Sequence, residues 1–99
     1  MKIIVNYHGS FIKKSGKFQD EISFPHADKI AVLYVLLHIL QLYDREEKSF
    51  FGTRNITLGK EVLVKVNNIQ ALNVGVEMVD GDIMDLFDPR NFGDGDVCD

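Results

Sequence analysis

The sequence predicts an α+β domain: a mixed sheet of about four to five strands with one main helix packed across one face. Three observations carry this. β-Rich runs with period-two alternation stand near both ends of the chain. One stretch alone, Lys29 to Tyr43, is long and periodic enough for a main helix. No strand–helix–strand alternation repeats, as a doubly wound parallel sheet would require. Ninety-nine residues, 45% of them hydrophobic, make a single core of ordinary domain size.

The elements follow in order. Met1 to His8 (M-K-I-I-V-N-Y-H) reads as a strand with Ile3, Val5 and Tyr7 on one face and Lys2, Ile4, Asn6 and His8 on the other. Gly9-Ser10 ends it. Lys13-Lys14-Ser15-Gly16-Lys17 reads as the basic turn of a hairpin. Phe18 to Phe24 is the returning strand, with Phe18, Ile22 and Phe24 inward; Asp20 shares their parity and is expected at an edge or bulge. Pro25 stops the strand, and Asp28 is the expected N-cap of the helix. Along that helix Ile30, Leu33, Leu36, Leu37 and Leu40 form the expected core stripe. Ala31, Tyr34, Val35, His38, Gln41 and Leu42 fall opposite, a side more apolar than water alone favours. The connection from Asp44 to Lys60, or else another subunit, is expected to cover it, and the connection is the better account. Glu61 to Val66 is a clear strand with Val62, Val64 and Val66 inward, turned by Asn67-Asn68. Ile69 to Met78 is a loose crossing segment. Asp80-Gly81 turns the chain into a last strand, Ile83 to Phe87, with Met84 and Leu86 inward. Residues 1–89 thus form the domain, and 90–99 an acidic tail too polar and Gly-rich to pack by itself, hence flexible.

Charge and composition narrow the function. The net charge of −4 lacks the basic stripe that nucleic acid requires. The charge is uneven: residues 1–76 hold ten Lys/Arg against seven Asp/Glu, and residues 77–99 hold one against eight. Such an end is either a solubilising tail or an acidic handle for a basic partner groove. A single cysteine, Cys98, cannot form an internal disulfide, which points to a reducing, cytoplasmic setting. The apolar block Ile30–Leu37 is far too short for a membrane span, and no signal peptide opens the chain.

Chemical motifs are sparse. D-G-D-I-M-D at Asp80–Asp85 recurs as D-G-D-V-C-D at Asp94–Asp99, but neither completes a calcium loop, and chance repetition in an acidic region is the better account. Acidic neighbours disfavour a reactive thiolate at Cys98. His8, His26 and His38 lie on different expected elements without zinc-ligand spacing. No nucleophile stands beside a base, and no Gly-rich phosphate loop occurs. The chain is therefore expected to be no enzyme by itself and to carry no cofactor or metal. The open sheet face remains: Ile4, Leu63, Ile83 and Phe87, rimmed by Lys2, Lys65 and Asp85. Four apolar residues from three strands can make one patch. That patch is expected to dock a larger enzyme, the alternative being that the 44–60 loop or a crystal or homodimer contact covers it.

The order of elements and the last motif resemble the ubiquitin-like β-grasp proteins of the MoaD/ThiS sulfur-carrier group. The resemblance spans Met1 to about Pro89. It rests on the opening hairpin, the helix start at Asp28-Lys29-Ile30 with Leu33, Leu36 and Leu37, V-L-V-K-V-N-N at Val62–Asn68, and M-V-D-G-D-I-M-D-L-F-D-P at Met78–Pro89. The family's matching segment looks like L-x-D-G-D-E-V, a few apolar residues, Pro-Pro and a terminal Gly-Gly; Asp80, Gly81, Asp82 and Pro89 match position for position. Asn68 stands where the family usually has Gly, and Asp88 where the first Pro would be. The chain ends Gly93-Asp94-Gly95-Asp96-Val97-Cys98-Asp99 instead of Gly-Gly. The resemblance implies a ubiquitin-like small protein that works as a non-catalytic partner or subunit of a larger enzyme. Ile4, Leu63, Ile83, Asp85 and Phe87 would be its partner-binding residues, with the tail reaching into the enzyme. The alternative it implies is a sulfur carrier, trimmed to Gly93 or Gly95, bearing a C-terminal thiocarboxylate in cofactor biosynthesis. It would then be a protein cosubstrate of an ATP-dependent activating enzyme.

Overall fold

Alternation along Lys2–Tyr7 buries every second side chain, and Ile3, Val5 and Tyr7 are almost completely inaccessible. This strand, β1, begins the chain in the computed structural model, which describes residues 1–43, 58–59 and 62–88. Helix α1 (Ser10–Ser15) leads to β2 (Gln19–Ser23), and β3 (Lys29–Ala31) runs into helix α2 (Val32–Tyr43). The strands β4 (Leu63–Val66), β5 (Ile69–Gln70), β6 (Glu77–Val79) and β7 (Ile83–Phe87) follow. Five of these strands form one sheet in the order β2-β1-β7-β4-β5, and β3 and β6 pair in a second, two-stranded sheet. β7 is central: it lies parallel to β1, with Ile4 opposite Ile83, and antiparallel to β4, with Leu63 opposite Phe87. The expected mixed sheet with a helix across one face is present.

The core lies between that face and α2. Ile3, Val5, Tyr7, Ile22, Val64, Met84 and Leu86 from the sheet meet Val32, Val35, Leu36 and Ile39 from the helix. Near-complete burial of a Leu or Ile side chain stabilises a fold by about 1.5–3 kcal/mol relative to exposure.

Four expectations are corrected. The basic turn is a helix, α1, which buries Phe11 and closes on Gly16 at φ 79°, whose N–H bonds the Ile12 carbonyl at 2.9 Å. Six residues are too few to display a helical period. The main helix starts at Val32, and Lys29–Ala31 is β3, paired antiparallel with β6. Its first donors are taken up by backbone instead of an Asp28 cap: Val32 N–H by the Val76 carbonyl at 2.8 Å, and Leu33 N–H by the Val74 carbonyl at 2.9 Å. The stripe is rotated from its expected phase. Val35, expected outward, is buried, Leu37 is 39% exposed, and Leu33 and Leu40 are half-buried. Phe18, expected inward, is 72% exposed: it lies just before β2, where its carbonyl still accepts from Tyr7 N–H at 2.8 Å but its side chain is outside the core. Most of the 44–60 connection lies outside the described residues. Leu58, which is described, packs against the core.

Asn67-Asn68 does turn the chain. Both have positive φ (51° and 71°) in a two-residue hairpin between Val66 and Ile69. Asn tolerates that region better than other side-chain-bearing residues, so Asn68 can replace the glycine.

Candidate sheet-face docking site

Alternation along β7 sends Met84 and Leu86 into the core and Ile83, Asp85 and Phe87 to the opposite face. The register fixes their neighbours. Ile4 of β1 lies beside Ile83, Leu63 of β4 beside Phe87, and Asn6 and Lys65 flank Asp85 from either side. The five expected contact residues therefore share one face of three adjacent strands. Ile83 is 41% exposed, while Ile4, Leu63, Asp85 and Phe87 are half-buried. Gly93 and Gly95 lie outside the described residues, as do Pro89 and Cys98.

Asp85 is held by a chain of side chains. Its Oδ1 accepts from Asn6 Nδ2 at 3.1 Å and lies 2.9 Å from His8 Nε2; the Asn6 amide oxygen accepts in turn from Gln19 Nε2 at 2.8 Å. The His8 ring stacks on Phe87, with centroids 4.3 Å apart and planes 12° from parallel. Lys65 Nζ stands 5.4 Å from the centre of the Phe87 ring, close enough for a cation–π contact. Sequence reasoning placed Asn6 and His8 on this face by parity but missed both contacts. Their partners depend on which strands are neighbours, and that order is not written in any local pattern. Gln19 had no signal at all.

The approach to β7 is fixed by the Asp80-Gly81-Asp82 turn, whose carboxylates serve the backbone. Asp80 Oδ1 accepts from Lys2 N–H at 2.7 Å, and Asp82 Oδ2 from Val79 N–H at 2.9 Å. Asn67 Nδ2 donates to Asp82 Oδ1 at 3.0 Å, and Asn67 Oδ1 accepts from Ile83 N–H at 3.0 Å. At the other end Asp88 is buried and accepts from Ser10 Oγ at 2.7 Å, so the chain leaves the sheet beside α1. Among the described residues, no three His, Cys, Asp or Glu side chains converge as a metal site, and no helix is long and apolar enough to cross a membrane.

A second titratable cluster lies at the sheet edge. Asp20 Oδ2 accepts from Tyr7 Oη at 2.7 Å and from Tyr43 Oη, and Asp20 Oδ1 pairs with Lys17 Nζ at 3.1 Å. Burial works against the Asp20 carboxylate. The hydrogen bonds from Tyr43, Tyr7 and Lys17, together with the Lys17 charge, outweigh it and hold its pKa below the ordinary 3.8. Burial, then the bond to Asp20, pushes both phenols up, Tyr7 far beyond its usual range. With its acceptors filled by the protein itself, this cluster clasps β2 to β1 and to the end of α2. It is a structural element.

No protein-family model and no curated protein sequence matches the chain. Solved structures do. A protein assigned as molybdopterin converting factor subunit 1 from Pyrococcus furiosus matches with a TM-score of 0.70 at 20% identity, over 90% of this chain and 98% of that one. SAMP1 from Haloferax volcanii matches with a TM-score of 0.74 at 16% identity, over 90% and 96%. The complex of subunits 1 and 2 of molybdopterin-converting factor from Helicobacter pylori contains a chain matching with a TM-score of 0.54 at 21% identity, over 90% and 95%. The structural neighbours are thus MoaD-type subunits and small archaeal modifier proteins, and the chain has the ubiquitin-like β-grasp fold.

Proposed function

We propose that the chain is a cytoplasmic, non-catalytic partner protein that docks on a larger enzyme through the outer face of β1, β7 and β4. Ile4, Leu63, Ile83, Asp85 and Phe87 are the contact residues. One observation carries the reading: the central strand presents Ile83 and Phe87 around a carboxylate fixed by Asn6 and His8. A preset polar group between apolar side chains is how protein interfaces combine affinity with orientation. The Helicobacter pylori neighbour, found in a complex of subunits 1 and 2, supports a protein partner of the same kind. The test is affinity purification of the tagged full-length chain from its host, with partners identified by mass spectrometry. The wild type should recover a stoichiometric enzyme, and Phe87→Ala combined with Asp85→Lys should lose it by at least about tenfold, as at a central interface residue. Equal recovery by the double variant would sink the proposal.

A second reading is favoured by the position of β7, the last described strand, whose end at Asp88 is pinned to Ser10 just before the glycines of the tail in the sequence. In it, trimming to Gly93 or Gly95 makes the chain a sulfur carrier that an ATP-dependent enzyme activates. The intact mass of the protein from its host distinguishes the two. A species ending at either glycine, or bearing added sulfur, identifies the carrier; the full-length mass alone identifies the docking subunit.

A further inference from the structure

We infer that the partner of the sheet face contributes a cation, an arginine or lysine side chain, to Asp85, and that this contact decides which proteins the face accepts. The inference rests on the docking role proposed above and names the chemistry of its occupant. Asp85 has two carboxylate oxygens in different situations. Oδ1 is engaged twice, by Asn6 Nδ2 at 3.1 Å and His8 Nε2 at 2.9 Å, whereas no described residue donates to Oδ2. The side chain is already only 14% accessible. Water reaching what remains exposed must therefore serve Oδ2.

A partner covering Ile83 and Phe87 removes that water. An ionised carboxylate buried without a donor is strongly unfavourable, so an apolar partner is rejected by the residue at the centre of the patch. A neutral donor satisfies the lone pair but leaves the charge. A guanidinium or ammonium satisfies both, and Arg is prominent among the residues that anchor interfaces. The neighbouring cation of this chain is aimed elsewhere, since Lys65 Nζ lies over the Phe87 ring. Among the described residues His8, whose Nε2 lies 2.9 Å from Asp85 Oδ1, offers an alternative: proton uptake there on docking would neutralise Asp85 without help from the partner. The two cases have different signatures.

The probe is a phage-displayed library of random dodecapeptides, selected on the full-length chain with elution by a Phe87→Ala-sensitive criterion, and then measured as synthetic peptides by calorimetry. Selected peptides should carry Arg or Lys among apolar residues. Their affinity should fall by about tenfold or more on Asp85→Asn and fall steadily as salt screens the pair. Binding enthalpy should not depend on the buffer. Asp85→Asn retains an oxygen for Asn6 and His8, and the salt titration of the wild type reads the same contact without any substitution. Peptides lacking a basic residue, unchanged binding to Asp85→Asn, or proton uptake assigned to His8 by its loss in His8→Phe would each overturn the inference while leaving the docking face intact. A library yielding no peptide sensitive to Phe87→Ala would count against the docking face itself, and the inference would fall with it.

Discussion

Gly81 shows how one residue sets the geometry of the candidate site. It sits at φ 87° in the turn between Val79 and Asp82, and its N–H bonds the Lys2 carbonyl at 2.8 Å. A Cβ there would meet no other atom within 4 Å, so the cost of a side chain is one of backbone conformation alone. Gly81→Ala should therefore destabilise the fold by about 1–2 kcal/mol, the usual cost of forcing an L-residue into left-handed space. Urea denaturation would measure it; an unchanged midpoint would mean that the turn is not strained. Asp-Gly was readable from the sequence because its chemistry is local. The stacking of His8 on Phe87 was not, although parity put both residues on one face. Contact between them needed the parallel pairing of β1 with β7, which joins residues almost eighty positions apart.

Among the elements, β1, β4 and β7 were legible because each has one dry and one wet face, and alternation records the difference. The main helix was legible as a helix and illegible in phase. From Ile30 to Leu42 nearly every residue is apolar, so no single stripe stands out, and the sheet beneath chooses Val32, Val35, Leu36 and Ile39. β3 was hidden for the same reason, its Ile30-Ala31 reading as a continuation of the helix. The end of α2 is tied to β2 through the Tyr43 bond to Asp20, and this junction should govern the pH dependence of stability. The Asp20 pKa is lower in the folded protein than in the unfolded chain. Its contribution is thus complete above its unfolded value near 3.8 and is lost as pH falls through the lower, folded value. Tyr7 and Tyr43 are raised, so theirs is complete below the ordinary 10.0 and declines as pH rises past it. Thermal melts should therefore show a stability plateau with an acid limb below about pH 4 and an alkaline limb above about pH 10. Asp20→Asn should flatten the acid limb. An acid limb of unchanged depth in that variant would assign it to other carboxylates.

At the scale of the whole molecule, the final strand of the sheet occupies its centre. β7 makes ladders with both β1 and β4, so the stretch that leads to the C-terminus is also the one that joins the two halves of the sheet. One face of that sheet is closed by α2, and on the other Asn6, His8, Gln19 and Asp85 form a bonded network among apolar side chains. The helix offers a competing surface, since Tyr34, Leu37 and Leu42 are exposed on its outer side. The two surfaces can be told apart by NMR with isotope-labelled full-length chain, titrated with the enzyme recovered from the host. Docking through the sheet predicts shift changes and line broadening centred on Ile4, Leu63, Ile83, Asp85 and Phe87, with Tyr34, Leu37 and Leu42 unmoved. Changes centred on the helix residues, with the sheet face undisturbed, would contradict it.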